Sequence, residues 1–225
     1  MAIVNRTPDS FYDRGATFGL DDALTRVDQV VAEGADMVDV GGVKAAPGAE
    51  VDAAEEIRRT VDLVAAVRAA HPLLPISIDT WRAEVAWEAL AAGADVVNDA
   101  WGGVDPQLAA VAAAAGAGIV CTHAGGLPPR TRPHRVSYDD VVADIVARTT
   151  ALAEAAVAAG VDPERVLVHL IAETHRHAGH ADIVRELVDG AAGLLPGVSN
   201  LGADGAEART AHHARVQAAA DAHRG

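Results

Sequence analysis

The strongest constraint on the fold of this chain is an alternation of short apolar runs with longer stretches of helical period. Met1–Asn5, Met37–Val40, Pro75–Asp79, Asp95–Asn98, Gly118–Thr122 and Arg165–Leu170 read as buried strands, and Leu194–Ser199 as a weaker seventh. Between the first of these, Leu24, Val27, Val30 and Val31 mark one helix face, and Ile57, Val61, Val64 and Val67 mark another within Asp52–Ala70. Apolar residues three and four apart line one side of an α-helix, which is why this spacing predicts helices. Ala83–Ala92, Pro106–Ala115, Tyr138–Ala159 and Ile183–Val188 continue the series. The phrases Glu-Gly-Ala-Asp at 33–36, Ala-Gly-Ala-Asp at 92–95 and Ala-Gly-Ala-Gly at 115–118 recur where helices should end. Glycine there takes the left-handed conformation that stops a helix. Strands interleaved with helices predict a parallel sheet with right-handed crossovers. A closed barrel and a doubly wound open sheet both satisfy that pattern.

Length favours one domain. A (β/α)₈ barrel typically takes about 250 residues, so 225 residues would hold one tightly. After Asn200 no further run of β-branched residues occurs, and one helix over roughly 206–223 is the most that the tail supports. The expectation is therefore α/β, a TIM-type (β/α)₈ barrel with about seven clear βα units, incomplete at its C-terminal end. It would form a single domain over 1–225 with a degenerate tail at 201–225. Without an eighth strand, Met1–Asn5 would have an exposed edge and exchange its amides rapidly.

Charge and cysteine content narrow the partners. A net charge of −14 argues against nucleic acid and anionic membranes, both of which need a basic surface. No apolar run is long enough to span a bilayer, and the N-terminus lacks the pattern of a signal peptide. One cysteine, Cys121, allows no intrachain disulfide, so a reducing cytoplasm is the simplest setting.

In a parallel barrel the functional side chains stand at the C-terminal ends of the strands and in the loops that follow. Those positions hold Asn5, Asp39, Asp79, Asn98, Asp99, His123, His169 and Asn200. Buried carboxylates and amides read a fused heterocycle with amino and ring N–H donors, and Asp79 and Asn98 suit such an edge. The alternative is that each Asp or Asn caps the next helix. Asn5 could offer its carbonyl oxygen to a hard cation such as Mg²⁺ bridging to a diphosphate, although Asn5–Phe11 also reads as a turn around Thr-Pro-Asp. Gly41–Gly48 reads as a mobile loop bounded by Gly and Pro, in which Lys44 could meet an anion. His169, His175, His177 and His180 crowd one segment and pose the question of a zinc site, but without an accompanying HExxH or Cys. Trp81, Trp87 and Trp101 read as packing residues beside the mouth, and Cys121 as an inert core thiol.

Several phrases together resemble dihydropteroate synthase: Ile3–Phe11 (I-V-N-R-T-P-D-S-F), Asp39–Gly42 (D-V-G-G), Ser77–Thr80 (S-I-D-T), Val97–Asp99 (V-N-D) and Val198–Asn200 (V-S-N). F-Y-D-R-G-A-T-F, G-G-V-K-A-A-P-G, D-T-W-R-A, W-G-G-V-D-P and G-G-L-P-P-R-T-R-P are closer to the second, actinobacterial-type paralogue, a branch linked with absent synthase activity. The resemblance is dense up to about Leu167 and patchy beyond it. It implies a barrel that joins dihydropterin pyrophosphate to para-aminobenzoate with Mg²⁺ assisting loss of pyrophosphate, and a homodimer. By motif it implies Asn5 as metal ligand and Asp79 and Asn98 on the pterin. Asp39 would lie beside them, and Thr7, Lys44 and Arg176 would sit in loops near the substrate.

Departures from the family pattern are concentrated at the other side of the site. The Ser-Thr-Arg-Pro-Gly type loop is replaced by Val43–Gly48. A pterin-reading Asp is replaced by His169, a Lys by Leu201, and the last-strand Arg-x-His has no clear counterpart. A neutral imidazole presents one donor and one acceptor where a carboxylate accepts twice. Two readings remain: a synthase-type transferase of folate biosynthesis, and a catalytically inactive paralogue that binds a pterin-like ligand or a partner protein.

Overall fold

The computed structural model describes residues 1–8, 15–131 and 137–166. They contain five strands and five helices in strict alternation. These are β1 (Ala2–Asn5), α1 (Leu20–Ala32), β2 (Val38–Gly41), α2 (Ala53–Ala70), β3 (Ile76–Asp79), α3 (Ala83–Ala91), β4 (Val96–Asp99), α4 (Leu108–Ala114), β5 (Gly118–Cys121) and α5 (Val141–Ala158). Two compact units divide the chain, Met1–Ile171 and Ala172–Gly225, and all the described residues belong to the first.

All strand pairs are parallel, and the order is β1-β2-β3-β4-β5. This order decides between the two architectures that the sequence pattern leaves open. A doubly wound sheet starts in the middle and reverses direction, whereas a barrel adds every new strand to the same edge. Five successive additions without a reversal are the barrel's progression.

Local chemistry explains the boundaries. Asp52 caps α2 by accepting from the Glu55 amide at 2.8 Å, and Asp140 caps α5 by accepting from Val142 and Ala143. The turn out of α3 needs Gly93, whose φ is +115°. A Cβ there would lie 2.9 Å from Cγ of Arg68, an arginine that donates to the Gly93 carbonyl and to Asp95. The strand expected at Arg165–Leu170 does not begin at Arg165. Residues 163–166 are helical, because the Asp162 side chain accepts from the Glu164 amide and its carbonyl accepts from Arg165. An Asp-Pro pair of this kind starts a helical turn. Residues 167–170 and the later expected elements, Ile183–Val188 and Leu194–Ser199, lie outside the described residues, as does the tail at 201–225. Among the described residues β1 pairs with β2 alone.

Alternate strand residues face the helices. Val4, Val38, Val40, Ile76, Ile78 and Val97 are fully buried against Ala23 and Val27 of α1, Leu63, Val64 and Val67 of α2, and Ala86, Ala89 and Ala112 of α3 and α4. Small side chains let the helices sit close to the sheet, and each buried Val or Ile adds about 1.5–3 kcal/mol. None of the described helices is long and apolar enough to cross a membrane.

Candidate ligand-binding mouth

The register places Asn5, Gly41, Asp79 and Asn98 as successive partners across β1 to β4. All four occupy the last or next-to-last position of a strand, so they form one row at the C-terminal end of the sheet. Gly41 keeps the row open. A Cβ on it would lie 2.9 Å from Oδ1 of Asn5 and 3.7 Å from Oδ2 of Asp79. The amide oxygen and the carboxylate thus converge over a position that has no side chain. Asp39 stands two residues deeper on the same face of β2, and its Oδ2 accepts from Nδ2 of Asn98 at 3.1 Å. Ser77, two residues below Asp79, is fully buried, and its Oγ has no hydrogen-bond partner. The structure therefore brings together Asn5, Asp39, Asp79 and Asn98.

This row is electrostatically frustrated. Burial pushes the Asp79 carboxyl well above the usual carboxylate range, and the nearby negative charges of Asp39, Glu56 and Asp99 push it in the same direction. A ligand that donates hydrogen bonds, or carries positive charge, would relieve both effects. The oxygens of Asn5 and Asp79 are hard donors, and two protein oxygens suit Mg²⁺, which commonly keeps waters and shares itself with substrate phosphates. No cluster of three His, Cys, Asp or Glu positioned for a metal occurs among the described residues.

Other candidates serve the frame. Asp99 is buried, and its two oxygens accept from the Trp101 amide at 2.9 Å and the Gly103 amide at 2.6 Å. It thus shapes the turn after β4, and here the capping alternative holds. His123 reaches Asp144 at 2.7 Å, which is also gripped by Arg148, beside a cavity of 230 Å³. Trp81 and Trp101 meet edge to face at 6.3 Å, whereas Trp87 is 54% exposed and does not pack as expected. Burial raises the Cys121 thiol to about 11, which keeps it protonated and unreactive near neutrality. Thr7 is buried in the loop after β1, and Lys44 is partly buried in the loop after β2. Arg176 and the histidines from His169 to His180 lie outside the described residues.

Sequence reasoning missed the charged residues beneath the mouth. Glu56 on α2 is fully buried and paired with Arg82, which also donates to the Val51 carbonyl and lies 4.5 Å over the Trp81 ring. Burial raises the Glu56 carboxyl against the pull of Arg82. Arg6 is 7% exposed, and its Nε and Nη1 find no partner; burial lowers its affinity for a proton, and Arg58 adds to this. A Glu on a helix and an Arg in a polar loop read as solvated, so no sequence signal separates these from surface charges.

A model described as the pterin binding enzyme family matches residues 1–223. The chain belongs to that family. Within it, the protein named "Inactive dihydropteroate synthase 2" of Mycobacterium leprae is 54% identical over 193 residues, covering 84% of this chain and 66% of its own length. The dihydropteroate synthase of Bacillus subtilis is 38% identical over 170 residues, covering 75% of this chain and 56% of its own length. The crystal structure of the Yersinia pestis dihydropteroate synthase with a sulfonamide drug superposes with a TM-score of 0.69 at 32% identity, over 82% of this chain and 69% of that one. This pterin-binding family member is thus dihydropteroate synthase-like, of the TIM-type α/β barrel class, and similar to a paralogue named as inactive. The match spans between about half and two thirds of the curated relatives' own length.

Proposed function

We propose that this chain binds a pterin-type ring at the Asn5–Asp79–Asn98 row and does not complete the synthase reaction. The observation that carries the reading is the convergence of Asn5 and Asp79 over Gly41, with Asp39 holding Asn98 beside them. Such a row accepts hydrogen bonds from a ring edge rich in N–H groups. Asn98 adds a donor and an acceptor, and Asp79 pairs with the guanidine-like edge. Asn5 would hold Mg²⁺ together with a diphosphate, and the cation would supply leaving-group stabilisation when bound. Thr7, Lys44 and Arg176 would approach the ligand from the loops.

Absence of turnover follows from the other substrate. Val43–Gly48 carries neither the hydroxyls nor the arginine that would seat para-aminobenzoate, while His169 and Leu201 take the places of a carboxylate and a lysine. Exchanging a charge-assisted contact for a neutral one costs about 1.5–3 kcal/mol. The high identity to a relative named as inactive supports the same reading. We take 1–225 as a single barrel domain, cytoplasmic and homodimeric in keeping with the family resemblance.

Calorimetry with dihydropterin pyrophosphate and Mg²⁺ tests the first half of the proposal, and product analysis after adding para-aminobenzoate tests the second. Binding without dihydropteroate formation is the expected result. Absence of binding at millimolar ligand overturns the pterin site, and product formation overturns the loss of catalysis.

A further inference from the structure

The β2–α2 connection is held by its main chain. Four of its carbonyls accept hydrogen bonds from three arginines on three different elements. Nη1 of Arg59 on α2 donates to Gly42 at 3.0 Å. Nη2 of Arg82, at the start of α3, donates to Val51 at 2.7 Å. Arg130, in the long segment after β5, donates from Nε to Ala46 at 3.2 Å and from Nη1 to Ala49 at 2.7 Å. The first two contacts fasten the ends of the connection, and Arg130 fastens its middle from more than 80 residues away.

Position makes the Arg130 contact important. Both segments leave the C-terminal ends of their strands, and β3 and β4, which carry Asp79 and Asn98, lie between β2 and β5. A link from the β5 side to the β2 loop therefore spans the strand ends that form the candidate site. Arg130 is also the one non-glycine among the described residues with a positive φ, +65°. The backbone adopts a conformation that L-residues avoid in order to aim this side chain. The guanidinium fork fits the task, because Nε and Nη1 are fixed donors that can satisfy two carbonyls at once.

We propose that Arg130 is a positioning residue that holds the β2–α2 loop in place before any ligand arrives, so that entry past this loop requires Arg130 to let go. The consequence for ligand entry rests on the pterin-site reading above; the fastening itself does not.

The chain offers a selective probe, since Lys44 is its only lysine and lies inside this loop. A lysine-specific endoprotease can cut the folded, ligand-free protein only after Lys44, and cutting requires the loop to open. The wild type should resist. Arg130→Ala and Arg130→Gly should be cut at least about tenfold faster, a factor that matches the loss of one or two charge-assisted bonds. Arg130→Gln, which retains a donor, should fall between and covers the case in which Arg130→Ala fails to fold. An unchanged thermal midpoint separates loop release from global unfolding. Equal cleavage of wild type and Arg130→Ala overturns the proposal. So does wild-type resistance in Arg130→Gly, which would assign the effect to the backbone alone. If the fastening holds and dihydropterin pyrophosphate still does not bind, the ligand reading fails and the fastening stands. If both hold, the ligand associates faster with Arg130→Gln than with the wild type.

Discussion

The two faces of the same five strands follow different rules. On the face toward the helices, Val4, Val38, Val40, Ile76, Ile78 and Val97 are all sealed from solvent. On the opposite face stand Asn5, Asp39, Ser77, Asp79 and Asn98, one residue out of phase along each strand. A parallel barrel buries both faces, and its strands usually read as continuous apolar runs. Here every second residue of β3 is polar, and that departure locates the candidate site. The outer face is organised for stability, while the inner face holds buried carboxylates that oppose one another.

The largest test of this division is Ile78→Ala. It removes a fully buried side chain from the outer face and should lower unfolding free energy by about 2–5 kcal/mol in urea titrations. Its immediate neighbour should do the reverse. Asp79→Asn removes a buried charge and should stabilise the protein by about 1 kcal/mol near neutral pH, while weakening any pterin binding. The sign follows from proton linkage. Asp79 holds its proton more tightly folded than unfolded, so its contribution to stability is present at low pH and is lost as pH rises from the ordinary Asp range through the raised value. The advantage of Asp79→Asn should therefore grow with pH over that window and vanish below it. An advantage independent of pH would place the effect elsewhere. The smallest change belongs to Ile3→Ser. Ile3 precedes buried Val4 in the same strand yet is 62% exposed, so its loss should shift stability by less than about 0.5 kcal/mol. A shift as large as that of Ile78→Ala would break the distinction between the faces.

The sequence made much of this visible. Strand and helix positions up to α5 follow from apolar spacing, because one buried face per element leaves a periodic trace. Asp52 as a helix cap and the glycines that end helices are local chemistry. The row of Asn5, Asp79 and Asn98 was legible from its place after apolar runs. What escaped has no periodicity. Asp99 and Asp79 look alike in sequence, yet Asp99 turns to its own loop amides, while Asp79 meets Asn5. Arg59, Arg82 and Arg130 donate to main-chain carbonyls, a kind of partner that every residue offers and none advertises. For the same reason Gly41–Gly48 read as mobile from its glycines and proline, although its backbone is fastened at both ends and in the middle. The Arg165–Leu170 strand was misplaced because the Asp-Pro start of a helical turn sits just ahead of an apolar run.

Fastening a loop through its carbonyls has a consequence for how the site could change. Ala45, Ala46 and Ala49 contribute small side chains to a segment whose path is set by groups that any residue supplies. Their identities can be rewritten without disturbing what holds the loop over the strand ends. The scaffold thus separates the shape of its entrance from the chemistry displayed there, and a library varied at these alanines, with Arg130 kept, would explore new ligands on an unchanged frame.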